Sequence, residues 1–214
     1  MHDALIRLSE ADPVLAGLIA GMDEAALAVV TDPARGGRYP PLPPYAALVR
    51  IILGQQVSVG AARAMVARLS DRFGGALPTP EQVLADDPEE LRAAGGLSRG
   101  KLRFVRGLAS DVVEGRVDLD ALETLDDAAV EAVLCAVTGI GPWTAHVYLM
   151  GQLRRPDVLA PGDLGIRKAA GLAYGLPAPP TPAELTAMAE AWRPHRSTAS
   201  RLLWKSLDAT PVGG

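Results

Sequence analysis

Twice in 214 residues a Thr-Pro pair is followed by an amide or carboxyl side chain three positions after the threonine, at Thr79-Pro80-Glu81-Gln82 and at Thr181-Pro182-Ala183-Glu184. This is the capping-box spacing. The threonine hydroxyl accepts from one orphan N–H of the first helical turn, the Gln or Glu reaches back to the threonine N–H, and proline occupies a first-turn position where no N–H is needed. After the second box, Leu185, Met188, Ala189 and Trp192 recur at i, i+3, i+4 and i+7, the face of an amphipathic helix, and read as core. Asp87-Pro88, Ser58 and Ser98 mark further helix starts. A first helix is predicted over about 12–22 with Leu15, Leu18 and Ile19 on one face, and a second over Tyr45–Leu53. The Ser58 helix should end near Gly74-Gly75, and Gly36 to Pro44 should form a turn-rich connection. Val130, Val133, Leu134 and Val137 share a face over 127–137; the pattern breaks at Thr138-Gly139-Ile140-Gly141-Pro142 and resumes through about 151. No alternating strand or internal repeat interrupts this punctuation. The fold class is all-α, with about nine to eleven helices.

Composition agrees. The chain is 49% apolar and 21% charged, with only two Phe and four Tyr, as expected of a helical globular protein. No basic-then-apolar leader and no bilayer-length apolar run is visible, and the single cysteine, Cys135, can form neither an internal disulfide nor a cysteine-rich metal site. A cytoplasmic enzyme is the simplest expectation. The net charge of -4 argues mildly against nucleic acid, but charge is segregated. Residues 1–90 carry seven Lys+Arg against twelve Asp+Glu, and residues 91–214 carry fourteen against thirteen. Arg99, Lys101, Arg103 and Arg106 form a local basic cluster, which on spacing alone reads as a solvated helix face.

The break at 138–142 has a physical logic. Two glycines two residues apart let the chain reverse using positive φ and leave the backbone uncovered, and Pro142 suits the first turn of the next helix. Hairpin N–H groups and a helix N-terminus then face outward together, an anion site that fits a DNA phosphate. About twenty residues on, Leu159-Ala160-Pro161-Gly162-Asp163 precedes the helical run Leu164-Gly165-Ile166-Arg167-Lys168. By its own context Asp163 reads as an N-cap.

Taken together, Gly139-Ile140-Gly141-x-x-Thr144-Ala145 and the Gly/Pro loop leading to Asp163 resemble the helix-hairpin-helix signature of base-excision DNA glycosylases. The segment Ile51-Ile52-Leu53-Gly54-Gln55-Gln56-Val57-Ser58-Val59 and the tail Trp192-Arg193-Pro194-His195-Arg196-Ser197 leading to Trp204 are similar to DNA-3-methyladenine glycosylase II, so the likeness runs from about 45 to 207. The resemblance implies a compact form without an N-terminal β-rich domain. It implies two helical lobes, about 45–160 and about 1–44 plus 161–214, with a DNA-binding cleft between them.

It also implies roles. Asp163 is the catalytic carboxylate, and Trp143 and Trp204 line the substrate pocket. Gly139, Ile140, Gly141, Thr144, Gln56 and Ser58 bind DNA, with Gln56 as the wedge that fills the gap left by a flipped nucleotide. Val147 and Leu164 stand where some relatives carry an aromatic, which implies a more open, aliphatic pocket. Members that also cut the backbone carry a lysine where this chain has Trp143; without that amine, lyase chemistry loses its nucleophile. One thiol also excludes the family's four-cysteine iron–sulfur cluster. The expectation is a monofunctional enzyme with no cofactor for its chemistry. The resemblance further implies a structural Na+ or K+ at hairpin carbonyls near Val137 and Ile140. The partner is double-stranded DNA containing alkylated bases of the 3-methyladenine or 7-methylguanine type. No membrane partner and a monomeric state are expected. His146 reads as a surface or core residue rather than a DNA contact. The rival readings are a DNA-binding protein without catalysis, in which Asp163 is only a cap, and a glycosylase for uracil, oxidised bases or mismatches.

Overall fold

The computed structural model describes residues 2–32 and 42–209. Among the described residues there is no strand, and thirteen α-helices follow one another. In chain order they are α1 His2–Ala11, α2 Pro13–Ala20, α3 Glu24–Thr31, α4 Pro44–Gly54, α5 Val59–Arg72, α6 Pro80–Ala85, α7 Pro88–Gly95, α8 Arg99–Val113, α9 Asp127–Cys135, α10 Pro142–Gly151, α11 Leu164–Ala173, α12 Pro182–Met188 and α13 Arg196–Ser206. This exceeds the nine to eleven expected; α3, EAALAVVT, is apolar almost all along its eight residues, so no one-sided period marks it. Such short helices are held by packing more than by propensity. Leu5 and Leu8 of α1 and Val30 of α3 are buried. The Gly/Pro connection expected from Gly36 to Pro44 lies mostly outside the described residues.

Both capping boxes form. Thr79 Oγ1 accepts from Gln82 N and Gln82 Oε1 accepts from Thr79 N; Thr181 and Glu184 do the same. Ser58, Asp87 and Ser98 cap α5, α7 and α8 as their positions predict, and Gly74 and Gly75 follow α5 at positive φ. The Leu185–Trp192 stripe is core, but its last turn tightens into a 3₁₀ turn at Ala189–Trp192.

The chain divides into two compact units, Pro41–Tyr148 and Met1–Pro40 with Leu149–Gly214. In the first, α4 is buried almost all round, as its continuous apolar sequence requires. Tyr45 anchors it by donating its hydroxyl to Val105 O of α8 at 3.0 Å. In the second, α13 packs against α2, α3 and α11. The boundary between the units falls inside α10, before Leu149, rather than near residue 160. Residues 155–158 belong with α13, since Ser197 Oγ donates to Arg155 O at 2.6 Å and accepts from Val158 N at 3.0 Å, and Arg196 binds Asp157. Among the described residues no helix is long and apolar enough to cross a membrane.

Candidate functional site

One candidate site is the reversal between α9 and α10. Gly139 adopts φ +90, and a Cβ there would lie 2.2 Å from the Phe104 ring. Only glycine fits this position, for conformation and for space alike. Ile140 N donates to Val137 O at 3.1 Å, closing the turn, and the Ile140 side chain is buried beneath it. Gly141 differs from the sequence expectation. Its φ is not positive, and a Cβ there meets nothing within 4 Å. No clash inside the protein requires a glycine at 141. The hairpin carbonyls of Val137 and Ile140 offer neutral oxygens, a donor type that suits a hard monovalent ion. Val137 O already accepts from Ile140 N, so an ion there would use its second lone pair.

The Thr144 side chain is turned inward, which leaves only its backbone for the expected DNA contact. It is 1% exposed, and its hydroxyl accepts from Gln55 Nε2 at 3.0 Å. The same Gln55 nitrogen donates to Gly139 O at 2.9 Å. Nothing in the Gly54-Gln55-Gln56 string says which amide turns inward, so Gln55 carries no signal of this role in the sequence. Gln56, the next residue, is exposed and holds φ +55, a left-handed conformation that costs a non-glycine residue about 1–2 kcal/mol. Exposed Val57 follows it, and exposed Ser58 accepts from Ala61 N at 3.2 Å as the cap of α5. Trp143 is half-buried in the first turn of α10. His146 Nε2 lies 3.2 Å from Glu131 Oε2, joining the two helices of the hairpin.

The basic cluster on α8 is not one solvated face. Arg99 and Arg103 are exposed, with the Arg103 guanidinium 5.4 Å from the centre of the Phe104 ring. Lys101 is instead buried and donates its ammonium to Leu53 O at the end of α4, and burial lowers its pKa. Arg106 donates to Val83 O at 2.7 Å and Asp86 O at 3.1 Å, at the end of α6. Two of the four cations thus serve helix C-termini, where exposed carbonyls and the dipole favour positive charge.

A second candidate site belongs to the unit of Met1–Pro40 and Leu149–Gly214 and is described by itself. Asp163 is 7% exposed and caps α11, its Oδ1 accepting from Ile166 N at 2.7 Å. The same oxygen accepts from Trp204 Nε1 of α13 at 2.9 Å. Gly165 makes this pairing sterically feasible. A Cβ there would sit 3.0 Å from Asp163 Oδ1 and 3.2 Å from Trp204 Nε1. The sequence signal for Gly165 is its place inside a helical run, where a glycine costs about 0.5–1 kcal/mol relative to alanine and so invites a reason. Leu164, beside Asp163, is 54% exposed, whereas Val147 is buried in α10. Trp192 is core, as its stripe implied, and donates Nε1 to Asp12 Oδ2 at 3.0 Å.

Asp12 is a buried carboxylate that no sequence pattern marked. Its Oδ1 accepts from Val14 N at 2.9 Å and Leu15 N at 3.2 Å, and its Oδ2 accepts from Trp192 and from the Tyr174 hydroxyl. Burial pushes its pKa up, but the hydrogen bonds from Tyr174, Trp192, Leu15 and Val14 outweigh that and hold it below the usual carboxylate range. All four bonds are internal to the fold, so Asp12 is structural.

The chain is similar to known proteins in sequence and in fold. The chain is 35% identical over 128 residues to a DNA-3-methyladenine glycosylase of Saccharomyces cerevisiae, a match covering 56% of this chain and 43% of that protein. The chain therefore spans less than half the length of this curated relative. The solved structure of Schizosaccharomyces pombe 3-methyladenine DNA glycosylase in complex with abasic DNA superposes with a TM-score of 0.76 at 29% identity, covering 96% of this chain and 97% of that one. A DNA-3-methyladenine glycosidase from Bacillus halodurans superposes with a TM-score of 0.66 at 34% identity, over 91% and 89%. The family model of the HhH-GPD superfamily of base excision DNA repair proteins matches residues 49–194, and the chain belongs to that superfamily.

Proposed function

We propose that this protein is a monofunctional DNA glycosylase that hydrolyses the N-glycosidic bond of alkylated bases in double-stranded DNA after rotating the base out of the stack. The observation that carries the proposal is the Asp163 carboxylate, buried yet held at a helix start by Ile166 N and by the Trp204 indole. Breaking the C1′–N bond leaves positive charge on the sugar, and a fixed anion beside it lowers the barrier without having to reorganise. N3- or N7-alkylated purines are cationic, so the bond's electron pair neutralises the departing base. Water then adds to C1′, and its proton passes to Asp163 or to solvent. The half-buried Trp143 supplies an electron-rich face suited to a cationic base. It also stands where a lyase would need an amine, so no Schiff base forms and no strand is cut.

In this reading the uncovered backbone at Gly141 and the N–H groups starting α10 grip a phosphate, and exposed Gln56 fills the vacated stack. A monovalent cation on the Val137 and Ile140 carbonyls would add positive charge to that grip. The protein would act as a monomer.

A second reading is favoured by one observation. Asp163 is a fully formed N-cap, as a binding protein without catalysis would also need. Asp163→Asn separates the two, because asparagine caps as well as aspartate but carries no charge. Incubation with methylated DNA and detection of freed bases should show release by the wild type and a loss of about 100-fold or more in the variant, with DNA binding retained. Equal release by both would sink the catalytic role. Release from uracil or 8-oxoguanine DNA, and none from methylated DNA, would reassign the substrate. Borohydride trapping should capture no covalent adduct.

A further inference from the structure

The turn between α4 and α5 and the hairpin between α9 and α10 are far apart in sequence, yet one side chain ties them. Gln55 Nε2 donates to Gly139 O and to Thr144 Oγ1, residues 84 and 89 positions away. A carbonyl oxygen only accepts, so the amide orientation is fixed with the nitrogen toward the hairpin, and its two hydrogens serve one atom on each side of the reversal. Thr144 is buried, which shields the bond from competing water. Gln55 is also the residue that ends α4, its own N–H bonded to Ile52 O at 3.2 Å. The Lys101 ammonium fixes the preceding Leu53 carbonyl. The chain leaves this double anchor directly into Gln56, exposed and left-handed at φ +55.

We propose that Gln55 is a positioning residue that couples the turn presenting Gln56 to the phosphate-binding hairpin, so that gripping the strand and displacing the base are done by one rigid element. The proposal rests on the glycosylase reading above. A wedge free to move against the phosphate grip would recoil instead of unstacking the target. The Gln55 amide nitrogen is engaged within the protein, so its removal should tell only where extrusion is expensive.

The test uses Gln55→Met, which keeps the side-chain length and removes the donor, and Thr144→Val, which removes one acceptor from the other side. Four readouts are compared with the wild type. They are thermal melting, affinity for undamaged duplex, the fluorescence rise of 2-aminopurine placed beside a 7-methylguanine, and single-turnover excision of that base opposite cytosine or opposite a mismatch. Both variants should melt within a few degrees of the wild type and bind undamaged duplex within about twofold. Gln55→Met should lose most of the fluorescence rise and excise about tenfold more slowly opposite cytosine, but within about twofold opposite the mismatch, where unpairing is already done. Thr144→Val should show the same split, less strongly. Wild-type signals in both variants, or equal slowing on both DNAs, would overturn the coupling. Should the wild type free no base at all, the glycosylase reading fails separately. The coupling is then read from hydrogen exchange across residues 137–145 of the free protein, which rises in Gln55→Met if the amide locks the hairpin and stays at the wild-type rate if it does not.

Discussion

At the scale of single residues, the candidate site depends on side chains that are absent as much as on those present. Gly165 has no side chain, and that gap lets the Trp204 indole reach the Asp163 carboxylate. Gly165→Ala should therefore separate stability from activity. Alanine adds about 0.5–1 kcal/mol of helix propensity, so melting should hold steady or rise. Its methyl group must push the indole or the carboxylate aside by a few tenths of an ångström, and single-turnover excision should fall by about tenfold or more. A variant with wild-type excision would show that the Asp163–Trp204 pairing is dispensable. The same spacing logic explains why Asp163 alone was ambiguous in the sequence. A cap and a catalyst use the same residue type at the same helix position; Asp163 shares its indole bond, from a helix 41 residues away, with Asp12 and not with the caps at Asp23, Asp87 and Asp126.

At the scale of elements, the hairpin shows two glycines with different tasks. Gly139 is demanded from inside by its φ and by the Phe104 ring, whereas a Cβ on Gly141 would meet nothing within 4 Å. Gly139→Ala should cost on the order of 2 kcal/mol in urea unfolding, from left-handed strain plus displacement of a buried ring. Gly141→Ala should unfold like the wild type yet bind duplex DNA more weakly at all sequences, because it obstructs a backbone contact to phosphate. If Gly141→Ala binds as the wild type does, the hairpin is only a turn. The helices themselves were legible from their caps, since capping is a local interaction within four residues. The fate of the α8 cations was not. Spacing put Lys101 and Arg106 beside Arg99 and Arg103, and only the arrival of the α4 and α6 C-termini turned two of them inward.

At the scale of the whole molecule, one unit is assembled from both ends of the chain, and Asp12 closes it. Its carboxylate holds Tyr174 and Trp192, 162 and 180 residues away, while capping α2. Asp12→Ala removes the cap and strands a buried indole N–H, so it should destabilise the protein by about 3 kcal/mol in denaturant unfolding. The pH dependence has a definite sign. The folded carboxyl titrates below the unfolded value, so its stabilisation is complete above the unfolded pKa of about 3.9 and is lost as pH falls through the folded one. Below about pH 4 the melting temperature of the wild type should therefore fall more steeply than that of Asp12→Asn. Parallel acid limbs would show that Asp12 carries no such linkage.

The sequence by itself determined the helices with strong caps, the all-α class, the reversal at 138–142 and the family. Each is written in contiguous residues whose interactions span no more than a few positions. Tertiary structure alone decided which carboxylates are pinned by indoles, which amide is bonded to the hairpin and which cations are turned inward. Those outcomes depend on atoms that meet only after the chain has folded, and no local pattern encodes a partner tens to nearly two hundred residues away.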